Sequence, residues 1–195
     1  MNRKRIQHSV EIVERLLELG RFAYGDMPET PTLTRTQWAA LHYFARANEY
    51  SRTASAFGAF HATTPGTVSE TIAGLVRRGL LRRRRSKADR RTVHLDLTEQ
   101  GWTTLASDPS CTLEKAVERL PAEQAMAVAD GLATLAAAVA REQQRPTFGI
   151  CDRCKYFETE GEGAEEGARR EGCRLLKMAI DPDDAAALCV GFEGR

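Results

Sequence analysis

The chain has 195 residues and a formal net charge of +1, with 42% apolar and 7% aromatic residues, which fits a soluble, helix-rich protein of one ordinary domain plus a small appendage. No stretch approaches the roughly eighteen uninterrupted apolar residues of a membrane span, and Met1-Asn2-Arg3-Lys4-Arg5 leads into amphipathic sequence rather than an apolar leader, so a cytoplasmic protein is expected. The near-zero charge conceals a basic block: in residues 77–91, Arg77, Arg78, Arg82, Arg83, Arg84, Arg85, Lys87, Arg90 and Arg91 oppose Asp89 alone, a net +8, whereas residues 92–150 and 151–195 each carry −4.

Residues 6–24 predict an amphipathic helix with Ile6, Val10, Val13, Leu16 and Leu17 on one face. Gly25-Asp26-Met27-Pro28 ends it, and Pro31 keeps the linker extended. A second helix is expected from Arg35 to Ala47, capped by Thr34 or Thr36. A short helix follows near Arg52–Phe60, then another from Pro65 to Arg78 with Val68, Ile72, Leu75 and Val76 as its apolar stripe. Gly79 stands where a helix end takes a left-handed residue. Beyond it the period changes: Leu80-Leu81-Arg82 enters the basic run and Thr92–Leu97 alternates, predicting a β-hairpin with a charged tip at Ser86-Lys87-Ala88-Asp89. Thr98-Glu99-Gln100-Gly101 starts a helix, and an alanine-rich helix runs from Pro121 to Gln144. Pro146 breaks it and marks the domain boundary, giving a unit of residues 1–145 with a core at about 34–101, and an extension of 146–195. No internal repeat is present.

Helices followed by a hairpin crowded with arginines give the order of a winged helix-turn-helix. A flexible basic hairpin suits DNA, because neutralising phosphates releases counterions. Small hydroxylic residues at a helix N-terminus can donate to phosphates or base edges, and its free amides attract phosphate. Thr63, Thr64, Pro65, Gly66, Thr67 and Ser69 form such a start, with Arg84, Arg85, Lys87, Arg90 and Arg91 in the hairpin. The alternatives are a merely solvated charged face, which fifteen residues at +8 disfavour, and RNA, which normally calls for interleaved aromatic residues for stacking.

Over roughly residues 30–140 the sequence resembles the MarR family of bacterial transcription regulators. Thr64-Pro65-Gly66-Thr67-Val68-Ser69 is similar to the start of the family's recognition helix, and Leu75–Leu81 to its passage into the wing. Asp89-Arg90-Arg91 with Leu97-Thr98 and Gly101 fits the family's D-x-R…L-T-x-x-G signature. The resemblance implies that Arg90 or Arg91 enters a narrow minor groove, with Asp89 pairing to hold the wing in shape. It also implies a homodimer on near-palindromic double-stranded DNA, joined through residues 6–24 and 121–144. The overall expectation is a mainly α fold with a small β-wing.

Four of the five cysteines form the pattern Cys151-x2-Cys154-x18-Cys173-x15-Cys189; Cys111 stands apart as a core or interface thiol. In a reducing compartment such a cluster reads as a metal site before disulfides. Thiolates suit zinc or an iron–sulfur cluster, and with one tight pair instead of two the spread favours a four-iron (4Fe-4S) cluster over a zinc ribbon. The spacing resembles high-potential iron–sulfur proteins and the small cluster-binding subunits of some glycyl-radical enzymes, as do Tyr156-Phe157 and Phe192. Asp181-Pro182-Asp183-Asp184 starts a helix near whose end Cys189 is expected. The tail has little else to bury, so metal would supply much of its folding free energy. The four histidines are scattered, and no acid–base, nucleophile or Gly-rich phosphate motif occurs, so no enzyme is expected. The reading is a regulator whose cluster senses redox, oxygen or iron state; the alternative is a regulator of a small aromatic ligand with structural zinc.

Overall fold

The structure is a computed structural model and describes residues 3–24, 33–86, 89–108, 112–159 and 171–195, without the side chains of residues 3–6, 23–24 and 112. The helix-ending segment at Gly25–Pro28, Pro31, Lys87 and Cys111 lie outside the described residues.

The described elements are α1 (Arg3–Tyr24), α2 (Arg35–Arg46), α3 (Ala54–His61), α4 (Pro65–Arg77), β1 (Leu81–Arg85), β2 (Val93–Leu97), α5 (Glu99–Ala106), α6 (Thr112–Glu118), α7 (Ala122–Glu142), β3 (Phe157–Thr159), β4 (Glu171–Cys173), β5 (Met178–Ala179) and α8 (Pro182–Ala185). Most of the expected elements are present within a residue or two. Helix α6 and the tail's three-stranded antiparallel sheet β3-β4-β5 are additional to the expected elements. The helix expected to run from Asp181 towards Cys189 is shorter: α8 stops at Ala185, and Cys189 instead pairs with Gly149 in an antiparallel bridge.

One core joins α2, α3, α4 and the hairpin. Trp38, Leu41, Phe44, Phe57, Ile72, Leu75, Leu81 and Leu95 are all buried there. Threonines set the helix starts: Thr34 completes a capping box with Gln37 on α2, Thr53 accepts the amide of Ala56 on α3, and Thr64 accepts that of Thr67 on α4.

The motif Leu97-Thr98-x-x-Gly101 has a physical reading. Leu97 is buried. The Thr98 hydroxyl accepts the Gly101 amide, capping α5, and donates to the Gly79 carbonyl at 2.6 Å. A Cβ on Gly101 would stand 2.2 Å from the Leu80 carbonyl oxygen. Gly79, at φ +68°, makes the left-handed turn from α4 into β1. One threonine and two glycines therefore fasten α5 to the root of the wing.

Candidate nucleic-acid interface and cysteine cavity

In a strand, successive side chains point to opposite faces, and the wing uses both. In the β1–β2 register Arg83 lies opposite Leu95 and Arg84 opposite His94. The first face, with Arg83, Val93 and Leu95, borders a 900 Å³ groove whose other walls include Ser55 and Ala59 of α3 and Thr63, Thr64, Pro65 and Ser69 at the start of α4. The second face carries Arg84, His94 and Asp96 and meets the tail.

On the groove side, Thr64, Pro65, Gly66, Thr67 and Ser69 are exposed and Thr63 is half-buried. The Thr64 hydroxyl is also engaged in capping, 3.3 Å from the Thr67 amide and 3.0 Å from the Thr67 hydroxyl. Arg82, Arg83, Arg85, Arg90 and Arg91 are exposed. Asp89 holds the wing turn through neutral partners: it accepts the backbone amide of Arg91 at 2.9 Å and the hydroxyl of Thr92 at 3.2 Å. Arg145, which the sequence reading did not single out, also borders the groove. Its position next to a helix-breaking proline carries no signal of that placement.

Arg84 stands apart from the other candidate wing arginines. Its guanidinium donates to Asp96 at 2.8 Å and to Glu49 at 3.1 Å. Asp96 has a side chain only 10% exposed and also faces Arg52 at 3.5 Å and Arg82 at 3.8 Å. Burial alone would raise the Asp96 carboxyl, but the hydrogen bond and charge of Arg84 and the charge of Arg52 outweigh it and hold it below the usual carboxylate value.

The tail is stitched to the segment between α2 and α3. Leu188 exchanges backbone bonds with it, its amide donating to Arg46 at 2.7 Å and its carbonyl accepting from Asn48 at 3.0 Å. The Val190 amide donates to the Ser51 hydroxyl at 2.8 Å, and Asp184 accepts from the Glu49 amide at 3.1 Å. Phe148 packs edge-on against Phe60 of α3, with ring centroids 5.0 Å apart.

This stitching leaves a 650 Å³ cavity whose walls carry all four tail cysteines. Backbone geometry places each one. Cys151 opens a single 3-10 turn and Cys154 closes it. Cys173 sits on β4 opposite Phe157, and Cys189 is held by its bridge to Gly149. That bridge needs a glycine, since a Cβ on Gly149 would lie 2.7 Å from the Phe192 ring. Cys151 and Cys154 are buried, while Cys173 and Cys189 are partly exposed free thiols. Burial first, then the neighbouring Cys189, Cys154 and Cys173, pushes the Cys151 thiol up to about 12. Among the described residues, no three of Cys, His, Asp or Glu are grouped so as to hold a single metal ion. Tyr50 and His94, neither of them flagged by a sequence motif, complete part of the wall together with Arg84, which the sequence assigns to the DNA-binding hairpin.

Three helices and a two-stranded wing around one core define a winged helix fold. Residues 32–92 match a model of the MarR family. Among solved structures, the fold is similar to the transcriptional regulator BldR from Sulfolobus solfataricus, at 16% identity over 71% of this chain and 99% of that one (TM-score 0.52). It is also similar to a MarR family protein from Bacillus stearothermophilus, at 16% identity over 72% and 99% (TM-score 0.51). CouR from Rhodococcus jostii RHA1, solved bound to p-coumaroyl-CoA, matches at 21% identity over 65% and 92% (TM-score 0.53). No curated protein matches the chain in sequence.

Proposed function

We propose that the chain is a homodimeric, MarR-type regulator that binds near-palindromic double-stranded DNA and carries a 4Fe-4S cluster in its tail. The shared groove carries the DNA reading: the hydroxylic start of α4 and Arg83 of the wing border the same 900 Å³ space. The helix start suits the major groove, and the exposed wing tip, with Arg90 and Arg91, suits the phosphate backbone and the minor groove. Purified protein is expected to shift DNA from its own upstream region, with an affinity that falls steeply as salt rises. Replacing Arg90 and Arg91 together by Ala should weaken binding about tenfold or more at moderate salt. Loss of neither affinity nor salt slope in that variant would sink the assignment of the wing.

The dimer reading rests on apolar faces the monomer leaves open. The 21-residue helix α7 has no buried residue, and Val128, Leu132, Leu135 and Val139 are 38–46% exposed along it. Val10, Val13 and Leu17 of α1 are exposed by half or more. A second copy covers such faces in the way that the hydrophobic effect requires.

For the tail, the four thiols line one largely apolar cavity. One tetrahedral ion with metal–sulfur bonds of about 2.3 Å gathers its four sulfurs within about 4 Å of each other. A cuboidal cluster gives each cysteine its own iron corner and tolerates a wider frame. Exchange of electrons, oxygen or iron at this site is then the signal passed to the wing. Anaerobically purified protein should be brown and contain about four iron and four sulfide per chain. Colourless protein with stoichiometric zinc would replace the sensor by a structural ion and leave the DNA reading intact.

A further inference from the structure

The wing is itself part of the cysteine cavity. His94 of β2 lines that cavity together with Cys151, Cys154, Cys173 and Cys189. The residue is 5% exposed, and its Nδ1 is buried with no hydrogen-bond partner among the described residues. Buried polar atoms in folded proteins are nearly always paired, so an orphaned imidazole nitrogen on a residue that lines the cavity marks a missing partner. An imidazole always offers at least one N–H, and thiolate and sulfide sulfurs are acceptors. Arg84, directly across the hairpin from His94, carries only N–H donors and so cannot accept from the imidazole, and it is committed to Asp96 and Glu49.

We infer that His94 donates an imidazole N–H to a sulfur of the cluster held by the four cysteines, so that the wing's second strand is fastened to the cluster. The inference rests on the cluster reading above. A hydrogen bond to a cluster sulfur stabilises the more negative, reduced state and so raises its reduction potential. Because strand residues alternate, His94 faces the cluster while its neighbours Val93 and Leu95 border the DNA groove on the opposite side. A change at the cluster therefore reaches the DNA-binding face through one strand, without a moving domain.

The test uses the full chain, purified anaerobically, with iron and sulfide measured first. Protein labelled with 15N-histidine and reduced with dithionite is examined by pulsed EPR, in the wild type and in His94→Gln and His94→Leu. The wild type should show a 15N coupling that both variants lose. With iron and sulfide content unchanged, the leucine variant should have a lower midpoint potential, and glutamine should recover part of the shift. In whichever variant retains its cluster, the ratio of DNA affinities between oxidised and reduced protein should fall towards one. A wild-type cluster without 15N coupling, or an unchanged potential in the leucine variant, would overturn the role of His94 alone. Wild-type protein lacking iron and sulfide would overturn the cluster and this inference together.

Discussion

Asp96 shows how one residue decides what the wing's charge is for. A carboxylate at a mostly buried strand position would be costly alone, yet Arg84, Arg52 and Arg82 surround it. One consequence is that Arg84 is spent on the protein's interior electrostatics while Arg83 and Arg85 on either side of it remain exposed. The second is a pH dependence whose sign is fixed. The folded-state value of Asp96 lies below its unfolded value of about 3.9, so its contribution to stability is complete above that range and is lost as pH falls through the lower, folded value. Asp96→Asn is expected to cost about 1–3 kcal/mol at neutral pH, since it breaks charge-assisted hydrogen bonds. Its thermal stability should then vary less with pH below about 4 than the wild type's. Parallel pH curves for the two proteins would show that Asp96 gains nothing from its arginines.

At the scale of elements, the junction of α4, the wing and α5 is set by local chemistry. Thr98 both starts α5 and ties it to Gly79, and Gly101 lets the α5 backbone approach Leu80. Thr98→Ala loses both bonds and should cost about 1–2 kcal/mol, visible as a fall in Tm of about 3–8 °C. Gly101→Ala should cost more, because the added methyl meets a backbone carbonyl and not a flexible side chain. Equal stability of both variants to wild type would mean that the motif acts through some other contact. Much of this level was legible in advance: apolar period, capping threonines and helix-ending glycine placed α2 to α5 and the hairpin nearly to the residue. The tail's small sheet was not. Its strands have two or three residues each, too short for alternation to register, and they exist because Cys173 pairs with Phe157 on one side and Met178 on the other.

At the scale of the whole molecule, the unpartnered faces of α1 and α7 point to assembly with a second copy. Replacing Leu132 and Leu135 by Glu places charge on that exposed stripe, where the monomer buries nothing. The double variant should fold, elute as a monomer by light scattering, and bind DNA at least about tenfold more weakly, because two half-sites are no longer joined. A dimer unaffected by the change would move the interface elsewhere. The tail adds a second whole-molecule feature: it does not hang from Pro146 as an appendage but is stitched to the α2–α3 connection and lies against the wing. Among the described residues, no helix is long and apolar enough to cross a membrane.

The sequence by itself determined the winged helix and the run of arginines on its wing. Those features rest on nearest-neighbour rules — helical period, caps, turn glycines and net charge — that act over a few residues. It also singled out the four cysteines, because ligand spacing is a local count. Only the tertiary structure decided which wing face each side chain serves. Arg83 and Arg84 are adjacent and chemically identical in sequence, yet one borders the groove at the start of α4 and the other is locked to Asp96 beside the cysteine cavity. Likewise, His94 carries no motif and lies 57 positions before Cys151 in the chain, and nothing but folding brings its imidazole to the thiols. The reason is physical: strand pairing alternates side chains between two faces, and only long-range packing decides what each face meets.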